Sequence, residues 1–115
     1  MHARLAVAGQ AASVGSEHAR YAMALCRRGL AELGVDDANS ATATLTQAIA
    51  LLTKTEPLRE HLGEARFGLA RALWPRKPAE AVTLAQAARD DFTAAGPTFT
   101  REHDAVLAWL ASHTP

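Results

Sequence analysis

The chain is poor in aromatic residues, which make up 5% of its 115 positions, and it has a single cysteine, Cys26. One thiol excludes an internal disulfide and fits a reducing compartment. Charge of one sign is also missing: 12 Lys and Arg balance 12 Asp and Glu. Without a basic face there is no electrostatic footprint for phosphate backbones or anionic lipid, so neither nucleic acid nor membrane is an expected partner. No apolar run approaches the ~18 residues of a membrane span. Leu5 to Ala8 follows His2 and Arg4 as a secretion signal would, but Gly9 and Gln10 interrupt it too soon. The expected location is the cytoplasm. Valine and isoleucine are too few for strands, which excludes a sheet.

What the chain has is alanine and a repeat. Hydrophobic residues reach 49% largely through alanine, the best helix former and the one that lets helices approach closely. Gly29-Leu30-Ala31 recurs 39 positions later as Gly68-Leu69-Ala70, and Val106-Leu107-Ala108 follows 38 positions after that. Leu45, Ala48 and Leu52 are echoed 40 positions on by Ala85, Ala88 and Phe92, and foreshadowed 40 positions back by Leu5, Ala8 and Ala12. Such a period belongs to stacked helical hairpins.

Apolar spacing and punctuation place the helices. Ala3 to Ala12 reads as a short leading helix and Glu17 to Leu33 as the next, with Ser16 as its N-cap and Gly34 as a left-handed C-cap. Asp36, Asp37 and Asn39 then offer acceptors to a helix whose face is Ala41, Leu45, Ala48, Ile49 and Leu52, ending near Lys54. Pro57 fits the first turn of a helix with Leu58, Leu62, Ala65, Leu69 and Leu73 on one side. Pro75 and Pro78 bracket a turn. Pro78 to Ala95 buries Ala81, Leu84, Ala85, Ala88 and Phe92 before Gly96-Pro97 stops it. A last helix opens near Thr98 or Thr100 and buries Phe99, Val106 and Leu110. The expectation is an all-α superhelix of about five antiparallel helices in hairpins, as one domain over residues 1–115. It divides into a half-repeat at 1–14, repeats at 16–54 and 57–95, and a closing helix at 98–113.

Leu30-Ala31 with Ala41 and Ala48, and Leu69-Ala70 with Ala81 and Ala88, resemble tetratricopeptide repeats, in which a large and then a small residue of the first helix accept an alanine of the second. The period of 38 to 40 residues exceeds the usual ~34. It is similar to the long-helix variants of kinesin light chains and of C-terminal regions in bacterial signalling proteins, serine/threonine kinases among them. That resemblance implies a scaffold that binds a protein or peptide partner, or another copy of itself, along the inner face of the first helices. Carried onto this chain, the partner-binding positions are Arg28 and Glu32, then Phe67, Arg71 and Trp74, with Ala105 and Trp109 extending them. Glu32 stands where the family's carboxylate clamps carry asparagine. The second reading is a regulatory or sensor segment of a larger signalling protein such as a kinase, discriminated by whether Leu5, Val7 and Ala11 lie uncovered.

Chemistry of its own is not expected, so the chain reads as a non-enzyme without cofactor or metal. His18, His61 and His103 each follow a glutamate, but adjacent helical residues point about 100° apart and cannot form a paired site. The sequence holds no His-x-x-x-His and no Cys-x-x-Cys. Cys26, between Ala22 and Leu30, reads as a small buried hydrophobe. Gly29, Gly63 and Gly68 lack the Lys-Ser/Thr ending of a phosphate loop and read as packing glycines. Asp36-Asp37 and Asp90-Asp91 read as solvent-facing acids at or near helix ends.

Overall fold

The computed structural model describes residues 7–55 and 58–113, and all its regular structure is helical: α1 (Val7–Gly34), α2 (Ala38–Lys54), α3 (Arg59–Leu73), α4 (Pro78–Ala95) and α5 (Thr100–Ser112). No strand occurs among the described residues. Each helix packs on the next in the chain, and α1 also touches α3. The result is an all-α array of helical hairpins measuring 54 × 31 × 19 Å. Its smallest dimension is about two helix diameters, so the molecule is a two-layer slab.

The hairpins are joined by turns whose backbone bonds are accounted for. After α1 the amides of Asp36 and Asp37 donate to the carbonyls of Leu33 (3.0 Å) and Glu32 (2.8 Å). Asp37 caps α2 by accepting from the Ser40 amide at 3.2 Å. Pro78 occupies the first turn of α4, and Gly96, at φ 105°, ends that helix before Pro97–Phe99 form a 3-10 turn into α5. Among the described residues, Gly96 is the glycine whose conformation an L side chain would resist.

Two boundaries differ from expectation. A single helix runs from Val7 to Gly34 through Gly15 and Ser16, where a break and an N-cap were anticipated. A glycine inside a helix costs only about 1 kcal/mol, which the alanine-rich remainder of α1 offsets. The left-handed residue after α1 is Asp36, at φ 64°, and not Gly34. Aspartate tolerates that region, and the helix gains two further closing bonds by turning later. Residues 3–6 and Pro57 lie outside the described residues, as do the side chains of Val7 and Ala11 on which the reading as a regulatory segment turned.

The core is built from small residues. Ala22, Ala41, Ala48, Ala81, Ala85 and Ala88 are fully buried, with Leu45, Leu52, Phe92 and Val106 filling the space between. Close approach comes from glycine. A Cβ on Gly29 of α1 would sit 2.5 Å from Leu45 Cγ, and one on Gly68 of α3 would sit 3.1 Å from Leu45 Cδ1. The first residues of the two Gly-Leu-Ala copies are therefore the two walls of one socket, filled by Leu45 of α2. Gly63 likewise admits the ring of Phe92, whose Cζ would lie 2.8 Å from an added Cβ. Ala31 is exposed, so in the first hairpin Gly29 makes the crossing assigned to the small residue of the pair.

Asp91 corrects the sequence reading outright. It is fully buried on the inner side of α4, while Asp90 beside it faces water and meets Arg89 at 3.2 Å. Asp91 Oδ1 accepts from Arg59 Nε at 2.9 Å, and Arg66 Nη1 donates to both its oxygens, at 2.9 and 2.8 Å. Position 91 falls three residues beyond Ala88 and seven beyond Leu84, on the buried stripe. The stripe thus carries a carboxylate into the α3–α4 seam, where two arginines about two turns apart on α3 satisfy it.

Candidate groove between the first helices

Positions 38 residues apart on α3 and α5, Glu64 with Glu102 and Phe67 with Ala105, meet Leu30 of α1 at one place on the surface. A groove of about 200 Å³ opens there, lined by Leu30 of α1, by Glu64, Phe67 and Arg71 of α3, and by Glu102 and Ala105 of α5, with Phe92 of α4 below. Its walls are mostly apolar and its charges come from three side chains.

Of the seven positions expected at the inner face, Phe67, Arg71, Trp74 and Trp109 are brought into contact and Ala105 lines the groove beside them. The Arg71 guanidinium lies over the Phe67 ring, 4.7 Å from its centre. Phe67 and Trp109 meet edge to face at 6.0 Å, and Trp74 meets Trp109 the same way at 5.6 Å. These are the favoured geometries for aromatic pairs. Desolvation lowers the pKa of Arg71, although the residue as a whole stays exposed. Trp74 and Trp109 are half-buried, so the cluster is both a packing joint between α3 and α5 and an accessible aromatic surface.

Arg28 and Glu32 behave differently. They form a pair along α1 at 3.3 Å, with Arg28 well exposed and Glu32 mostly covered. Glu32 Oε2 takes that bond, while Oε1 is buried without a hydrogen-bond partner among the described residues. His113 was not anticipated. It stacks on Trp109 at 4.1 Å and 8°, stands edge-on to Trp74 at 5.0 Å, and its Nδ1 lies 2.8 Å from the Trp109 carbonyl. The sequence signal was its spacing of four from Trp109 on the same helix face.

The other chemical candidates do not assemble. No group of three His, Cys, Asp or Glu side chains is placed to hold a metal ion among the described residues. His18 is exposed, and His61 and His103 are half-buried. His103, 3.7 Å from Asp104, lines a second cavity of about 220 Å³ with Phe92, Thr93, Gly96, Pro97 and Thr100 at the α4–α5 turn. Cys26 is buried, and its thiol pKa is pushed up to about 11, first by desolvation and then by Glu64, with Arg27 opposing. Reactive cysteines show the reverse shift. No helix among the described residues is long and apolar enough to cross a membrane. No family model, no curated protein and no solved structure matches the chain.

Proposed function

We propose that the chain is a tetratricopeptide-like interaction module that binds a segment of a partner protein in the groove between α1, α3 and α5. The observation that carries this reading is the convergence of Phe67, Arg71, Trp74 and Trp109, from two different repeats, beside an open apolar groove. Half-exposed tryptophans and an arginine held on a ring are the side chains that dominate binding energy at protein interfaces. A hairpin array presents such residues on a rigid surface, so little ordering is needed on the module's side.

The test is selection of a random displayed-peptide library on the immobilised protein, with the winning peptides re-measured on Phe67→Ala and Arg71→Ala. Loss of binding by tenfold or so, with unchanged helical circular dichroism, is expected. Peptides that bind both variants as well as the parent protein would remove the groove from consideration.

A further inference from the structure

The groove's charges point to the chemistry of its occupant. Glu64 and Glu102 line it from α3 and α5, and neither forms an ion pair or a side-chain hydrogen bond among the described residues. Asp37, Asp90, Asp91, Glu32 and Glu80 have a partner within the chain, and of the described acids without one, Asp36 and Glu60 lie away from the groove. The one cation lining the groove is Arg71, whose guanidinium is engaged on the face of Phe67. Two carboxylates therefore confront one guanidinium across walls otherwise made of Leu30, Phe67, Phe92 and Ala105. The groove holds about 200 Å³.

Resting on the function proposed above, we infer that the groove takes a partner segment that presents a cationic side chain, lysine or arginine, flanked by an apolar residue. The alkyl stem of such a side chain would lie along Leu30, Phe67 and Phe92, with its charged head between Glu64 and Glu102. An acidic segment is disfavoured at this place. It would meet two carboxylates, and its gain from Arg71 would come at the expense of the guanidinium–ring contact. A cationic occupant agrees with Glu32 standing where the resembled family's carboxylate clamps carry asparagine.

The experiment uses the whole chain and three blocked synthetic peptides that differ at one position, with Leu-Lys-Leu, Leu-norleucine-Leu and Leu-Glu-Leu cores, titrated by calorimetry. Norleucine keeps the stem of lysine and removes its charge. The lysine peptide is expected to bind about tenfold or more tighter than the norleucine peptide, and that preference to collapse in Glu64→Gln/Glu102→Gln. Both substitutions are on the groove surface and keep side-chain volume, so circular dichroism should be unchanged. If norleucine or glutamate peptides bind equally well or better, and Phe67→Ala abolishes that binding, the charge inference is overturned and the groove reading stands. Absence of binding by all three peptides overturns both. Dimerisation seen by light scattering and lost in Phe67→Ala would make a second copy the occupant and overturn the inference likewise.

Discussion

Removing one partner at a time from the Asp91 site should reveal an asymmetry that only a buried carboxylate produces. Asp91 is fully buried, whereas the side chains of Arg66 and Arg59 keep 24% and 48% of their surface. Arg66→Met leaves the carboxylate in the α3–α4 seam with a single bond from Arg59, and stranding a buried charge costs ~3–5 kcal/mol. Asp91→Ala instead frees two guanidinium groups that can turn to water, so the loss is nearer the ~2–3 kcal/mol of its charge-assisted hydrogen bonds and a small cavity. Arg59→Met removes one bond from a half-exposed side chain, and solvent screening brings its expected cost to about 1 kcal/mol. The order is therefore Arg66→Met, then Asp91→Ala, then Arg59→Met, measured by urea unfolding followed at a helical circular dichroism band. A domain of this length is stabilised by roughly 5–15 kcal/mol in all, so the first variant should fold with a clearly lower midpoint. Replacing all three by apolar residues, Arg59→Met, Arg66→Met and Asp91→Leu together, should cost less than Arg66→Met alone. Equal costs for Arg66→Met and Asp91→Ala, or a triple variant worse than either, would refute the reasoning.

Two further outcomes follow from glycine packing and from Cys26. Gly34→Ala meets nothing within 4 Å and should stabilise by about 0.5–1 kcal/mol, whereas Gly29→Ala drives a Cβ onto the buried Leu45 and should lose ~1–2 kcal/mol despite the same gain in helix propensity; thermal melts of the pair would show opposite shifts. Burial pushes the Cys26 thiol from its ordinary 9.0 up to about 11 in the folded chain, so the unfolded chain ionises first as pH rises. Stability from this group is complete below pH 9 and should decline by ~2–3 kcal/mol towards pH 11, a slope that Cys26→Ala should lack when the two proteins are unfolded in urea across that range.

Much of the fold was legible because helix faces and caps are local properties. The face Ala41, Leu45, Ala48 and Leu52 is buried as its spacing requires, and Asp37, Pro78 and Gly96 sit at helix ends as their chemistry dictates. The start of α1 was misread because Gly15 and Ser16 look like punctuation, although neither forbids a helix. Asp91 was missed for a tertiary reason. A charge on an apolar stripe makes sense only when Arg59 and Arg66, on another helix, are brought opposite it. At the groove, Phe67, Arg71, Trp74 and Trp109 were named by the family resemblance, and their side chains lie against one another in the fold. Leu30, Glu64 and Glu102 did not follow from that resemblance, since which neighbours close a groove depends on how deep the helices nest, and that depth is fixed by pairs such as Gly63 and Phe92.

The Leu45 socket links that depth to recognition. Leu45 touches the glycine walls of both α1 and α3, and a Cβ on Gly68 would also press on Leu30 at 2.7 Å. Leu30 and Phe67 are in turn opposite lips of the groove. A buried residue with no part in the surface thus gauges the spacing of α1 and α3, and with it the width of the groove, and the two glycines make that gauge adjustable in increments of a single methyl group.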